Sequence, residues 1–192
     1  TVASQLLGWN FDPAKDKPLA SSCLFLGGFE DYSTGDDGVE RPNVWAVYPT
    51  ERTQWGSILT GQGDFTALEG SAALQVMGAD DGAENETAIY QTFDPVDGAT
   101  YSFYGSARMP ISDPITDSHS YAMLEIKMFN SSWGMVDRFE SQVIDLSSAT
   151  DTWISLETAG EASSSVVYVQ AVVAFWQCVD QTEGCTGGSG TV

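Results

Sequence analysis

The sequence predicts an all-β chain, an antiparallel sandwich or barrel. Apolar residues recur at every second position in several stretches, as in Ala72, Leu74 and Val76 or Ala122, Leu124, Ile126 and Met128. No stretch carries the three-to-four residue apolar spacing of a helix. Clusters of Gly, Pro, Asn, Asp and Ser interrupt the alternating runs at short intervals, as turns between strands do. With 192 residues, 42% of them hydrophobic, the chain can bury the core of one domain.

The elements follow in order. Residues 1–22 show no period and read as an irregular lead-in, and a short strand is predicted over 23–26. The Ser/Thr/Gly/Asp cluster at 31–38 reads as loop, and a strand is predicted over 42–48, before Pro49. Residues 50–70, rich in Gly, Thr and Gln around Trp55, read as loop. Strands are predicted over 71–76 and 87–93, separated by an acidic loop at 78–86. Asp97-Gly98 marks a hairpin turn into a strand at 101–108, with Tyr101, Phe103 and Ala107 on one face and Tyr104 and Arg108 on the other. Further strands are predicted at 121–129, 138–146, 153–156 and 166–176, with a turn at 130–134 presenting Trp133. That makes nine strands.

The stretch 166–176 organises the rest. One face reads Val167, Val169, Ala171, Val173 and Phe175, and is core. The other reads Tyr168, Gln170, Val172, Ala174 and Trp176. An unpaired amide in an apolar layer costs roughly 1–3 kcal/mol, so Gln170 predicts a wet face. A wet strand face bearing Tyr, Gln and Trp is a candidate ligand platform.

Charge narrows the partners. There are 27 acidic residues against 7 basic ones, a net charge of −20, and such a polyanion is repelled by nucleic acid and by anionic membrane surfaces. No apolar run is long enough for a membrane-spanning helix, and no basic segment followed by an apolar one opens the sequence. Cys178 and Cys185 bracket a turn-like hexapeptide, which predicts a disulfide of the kind found in secreted proteins. Cys23 reads as a small buried hydrophobe.

Several short motifs occur in a telling order: Gly27-Gly28-Phe29-Glu30, Trp45 after Pro42, Glu69-Gly70-Ser71-Ala72-Ala73-Leu74, Tyr90-Gln91-Thr92-Phe93, the run from Gly98 to Arg108, Leu124-Glu125-Ile126, Asp151-Thr152-Trp153 and Val166-Val167-Tyr168-Val169. Over 23–192 this order resembles the jelly-roll carbohydrate-binding modules of families 4, 9, 16 and 22. The resemblance implies a two-sheet jelly roll that binds polysaccharide on a concave sheet face or beside it, as a monomeric module tethered to a secreted glycoside hydrolase. It also implies a structural calcium, held by Glu30 with Glu69 as a second ligand; hard oxygen ligands suit an acidic chain. The family pattern closes with a strand reading aromatic-Asp-Asp after Gly-x-Val, whereas this sequence ends at Gly190-Thr191-Val192.

Strand parity then collects the candidate sugar-binding residues: Tyr104 and Arg108; Tyr121, Glu125 and Lys127; Tyr168, Gln170 and Trp176. Aromatic rings stack on the C–H faces of pyranoses, and planar or charged groups take paired hydroxyls. Arg108 and Lys127 are two of only seven cations. No catalytic residue is assigned. The single histidine, His119, stands in a Ser/Asp loop without a Gly-x-Ser-x-Gly elbow, and Glu125 has no evident carboxylate partner. The rival readings are a glycoside hydrolase or lyase on a similar sandwich, and a structural cell-surface adhesion domain.

Overall fold

Twelve strands and no helix are found among the described residues of the computed structural model, namely 7–9, 29, 31–36, 38–43, 45–48, 56–59, 67–68, 72–77, 83–116 and 118–179. The strands are β1 (Leu7–Trp9), β2 (Tyr32–Thr34), β3 (Glu40–Pro42), β4 (Ala46–Tyr48), β5 (Gly56–Leu59) and β6 (Ala73–Val76), then β7 (Asn85–Phe93), β8 (Thr100–Ala107), β9 (Tyr121–Phe129), β10 (Met135–Glu140), β11 (Ile154–Glu161) and β12 (Tyr168–Gln177). Every strand pairing is antiparallel. A five-stranded sheet runs β10-β9-β12-β7-β4, and a three-stranded sheet runs β1-β8-β11. Two small hairpins, β2-β3 and β5-β6, complete the sandwich.

The two larger sheets meet face to face because their long strands each turn a mainly apolar side inward. From the smaller sheet, Tyr101, Phe103 and Leu156 point inward. From the larger come Ala122, Leu124, Ile126 and Met128 of β9, Val169, Ala171 and Phe175 of β12, and Ile89 of β7, all fully or nearly fully buried in one cluster. Burial of this kind is worth about 1.5–3 kcal/mol for each large side chain. Tyr101 keeps its hydroxyl satisfied inside the core, accepting a 2.7 Å hydrogen bond from the Val96 amide. Gly160 on β11 leaves room for the Phe139 ring of β10, into which a Cβ at this position would drive.

The core face predicted for 166–176 holds from Val169 onward, but Val167 precedes the strand and is exposed. Other differences have local causes. Leu7–Trp9 lies inside the expected irregular lead-in yet pairs with β8. Within the expected loops, β2 and β5 form as short strands, where the pairing is made by backbone groups and leaves little apolar pattern to read. The strand expected over 138–146 starts earlier and stops at Glu140; beyond it the Ser141 amide donates to Leu124 O and Ile144 bridges to Ala122. The strand expected over 153–156 continues to Glu161. Residues 23–26 fall outside the described residues.

Cys178 is disulfide-bonded, and both other cysteines lie outside the described residues. The expected partner is Cys185, and mass spectrometry of a non-reduced digest should find the Cys178–Cys185 peptide pair. A Cys23–Cys178 pair would instead tie the strand to the start of the chain.

Candidate carbohydrate-binding face

Register fixes which side chains share the outward face of the five-stranded sheet, because residues directly opposed on neighbouring strands point to the same side. Trp176 of β12 opposes Tyr121 of β9 and Glu86 of β7; Gln170 opposes Lys127 and Thr92; Val172 opposes Glu125 and Tyr90; Tyr168 opposes Phe129. Arg138 of β10 opposes Lys127, and Glu140 opposes Glu125. Six of the eight expected residues, Tyr121, Glu125, Lys127, Tyr168, Gln170 and Trp176, therefore stand together.

The middle of this face is charged and closed. Glu125 is fully buried, 0% exposed, and is held by two cations. Arg138 donates to its Oε1 through both Nε (2.7 Å) and Nη2, and Arg138 Nε also lies 2.9 Å from Glu140. Lys127 Nζ lies 2.9 Å from Glu125 Oε2, out of line for a hydrogen bond, and donates to Glu86 Oε1 at 2.5 Å. Three carboxylates thus share two cations. The floor beneath is low: Val172, Ala174 and Ala88 form a second, separate apolar cluster with Tyr90 and Trp176 packed on it. Small residues there give Lys127 and Trp176 room to lie along the sheet and meet. The Lys127 ammonium stands 5.7 Å from the Trp176 ring centroid and the Arg138 guanidinium 5.3 Å, within cation–π range.

Aromatic side chains edge this centre. At one end Trp133, from the turn between β9 and β10, stacks on Tyr168 with centroids 4.4 Å apart and rings 9° from parallel. Phe129 lies 5.8 Å from Trp133. Toward the other sheet edge are Tyr90 and Tyr48, the latter exposed on β4. Gln170 sits between centre and end, partly exposed, its Nε2 donating a 3.1 Å hydrogen bond to Thr92 Oγ1. Chemically, the face offers planar polar groups with fixed directions, bordered by rings.

Two expectations need correction. Tyr104 and Arg108 do not join the site: β8 belongs to the other sheet, where Tyr104 opposes Glu157. Arg108 is committed to Asp151 at 2.7 Å, and the same carboxylate accepts from the Ile111 amide, so this pair secures the loop after β8. The face is not wet throughout, since Glu125 and Met123 are buried within it. The Trp176 ring has its own chain's cations against it. Glu30 and Glu69 lie outside the described residues, and among the described residues no group of three or more His, Cys, Asp and Glu side chains gathers as a metal site. Phe29, directly before Glu30, is buried against Trp45 with a left-handed φ of 56°.

Sequence reasoning missed Glu86 and Arg138. Glu86 ends the acidic stretch read as loop, but Ala88, Tyr90 and Thr92 continue its parity. Arg138 follows a bulge between Met135 and Asp137 that breaks the period of two. A charge count could have flagged it, as one of seven cations in the chain.

The class of protein defined by this pairing is an all-β sandwich with a charged, aromatic-edged sheet face. No family model matches the chain, and no curated protein does. Among solved structures it is similar to the enzymatically active domain of bacteriophage CBA120 tailspike protein 4, at 13% identity and a TM-score of 0.47, over 78% of this chain and 18% of that one. It is similar to a carbohydrate-binding module of the β-sandwich superfamily, at 15% identity and a TM-score of 0.47, over 71% of this chain and 49% of the other. It is also similar to the C-terminal family 22 carbohydrate-binding module of Clostridium thermocellum Xyn10B, at 16% identity and a TM-score of 0.41, over 88% and 97% of the two chains. The sandwich itself rests on the strand pairing described above.

Proposed function

We propose that the chain binds a polysaccharide on the outward face of its five-stranded sheet and leaves the ligand chemically unchanged. One juxtaposition carries this reading: hydrogen-bonding side chains held rigid in the middle of a sheet face, with aromatic rings beside them. Sugars need both, since each ring presents apolar C–H surface and directional hydroxyls. Glu125 acts here as the anchor for Lys127 and Arg138, whose remaining N–H donors and those of Gln170 meet the ligand. Ordering these side chains before binding lowers the entropy cost of association. The same ties argue against acid/base work by Glu125 and Glu86, because each carboxylate is already engaged and Glu125 is closed to substrate.

The proposal includes secretion, which the disulfide at Cys178 supports, and attachment to a glycan-degrading domain, which the sequence resemblance suggests. A panel of immobilised polysaccharides tests binding, and reducing-sugar release at high protein concentration tests turnover. Retained binding without release is expected. Release from any bound glycan would replace this reading with the hydrolase or lyase one, and binding to none would remove it.

From the sequence pattern alone we also propose a structural calcium held by Glu30 and Glu69. A ligand bound only by the folded state stabilises it by mass action, so calcium supplied at about 100 Kd should raise Tm by roughly 5–10 °C over the chelated protein. No change in Tm together with no metal by elemental analysis would end that proposal.

A further inference from the structure

Resting on the binding reading above, we infer that Trp133 and Tyr168 form a separate end subsite that stacks one pyranose ring of a longer chain, so that affinity depends on ligand length. Trp133 is 54% exposed, although one face of its ring is covered by Tyr168. Phe129 leans toward the same ring at a tilt, 5.8 Å away, and more than half of the residue still faces solvent. The backbone beneath it is held in an uncommon state: Trp133 has φ 59°, in the left-handed region that a bulky residue seldom adopts.

The turn is built to hold it there. Asn130 Oδ1 accepts hydrogen bonds from the amides of Ser132 and Gly134, both at 2.9 Å, while the Asn130 amide donates to Gly134 O and the Trp133 amide to Asn130 O. A Cβ at Gly134 would come 2.9 Å from Asn130 Nδ2, so glycine is what lets this cap close. Folding does not account for such an outlay. Trp133 belongs to neither buried apolar cluster of the described residues, and the rings it meets, Tyr168 and Phe129, are only partly buried.

Position assigns the occupant. Tyr168 and Phe129 are the last opposed pair of the outward face, one inter-residue step of that face beyond Gln170 and Lys127. A polymer lying along β12 passes from Trp176 to Tyr168, eight residues or about 27 Å at the strand rise, and arrives at the Trp133 ring. A rigid ring pair next to an amide and an ammonium matches a sugar. The exposed apolar side chains Trp133, Met135 and Val167 fall far short of the roughly 20–30 residues a side of a stable protein interface.

The test titrates the full chain and its Trp133→Ala variant with oligosaccharides of increasing length from soluble xylan and β-glucan, or from whichever panel glycan binds. Affinity for the longest oligomers should fall roughly tenfold in the variant, while the shortest bind both proteins equally. Trp133→Phe should restore most of the loss, and thermal melts should coincide because the side chain is exposed. Equal affinity of wild type and Trp133→Ala at every length overturns the subsite while leaving the binding face intact. A wild-type dimer that Trp133→Ala dissociates, seen by sedimentation, also overturns it in favour of self-association. If the wild type binds no glycan, the parent reading fails first.

Discussion

Replacing Glu125 by Ala is expected to destabilise the chain by about 3–5 kcal/mol, the usual cost of leaving buried charges without their partner. The substitution strands Lys127 and Arg138, both drawn into the sheet face by this one carboxylate. Glu86 and Glu140 remain, but each is paired from the margin and neither is fully buried. Urea denaturation measures the effect as a lower midpoint at nearly constant slope. Replacing the buried charges together by neutral residues of similar volume, Glu125→Leu with Lys127→Met, Arg138→Met and Glu86→Gln, should recover most of the stability, since buried ion pairs contribute little net against apolar packing. It should not recover binding. A cost below about 1 kcal/mol for Glu125→Ala would mean that the group is solvated and the closed centre does not exist.

Trp176→Ala should lower polysaccharide affinity by about 2 kcal/mol or more, near thirtyfold, as truncation of a central aromatic does. The ring braces both cations, so its loss frees Lys127 and Arg138 as well as removing contact surface. Some stability is lost too, because Trp176 packs on Val172 and Ala174. The control is Val169→Ala on the opposite side of the same strand, which should weaken the fold by roughly 0.5–3 kcal/mol and leave the affinity of the folded protein unchanged. Titration of both variants alongside thermal melts separates the two effects. Full affinity in folded Trp176→Ala would move the site off this face, toward the loops.

Period-two reading worked where strands were long and half-buried. The faces of β9 and β12 were legible because the core sides are apolar up to the buried Gln177 at the end of β12, while the other sides mix Tyr, Gln, Glu, Lys and Trp. Parity distinguishes inside from outside but not one sheet from the other, which is why Tyr104 and Arg108 were grouped with residues on the far side of the sandwich. The three-residue strands β2 and β3 carry Tyr-Ser-Thr and Glu-Arg-Pro, with no apolar alternation to read. The closure of the site centre was hidden for another reason. Whether Lys127 reaches water or turns along the sheet depends on the height of its neighbours, and that follows from which strands are adjacent: Ala88 comes from β7 and Ala174 from β12, 86 positions apart in sequence.

The most direct measurement of the central claim is the change in backbone amide NMR signals on titration with the polysaccharide fragment that binds. Shifts should concentrate along Tyr121–Phe129, Met135–Glu140 and Tyr168–Gln177. Shifts confined to β8 and β11, on the outward side of the smaller sheet around Tyr104 and Arg108, would contradict it.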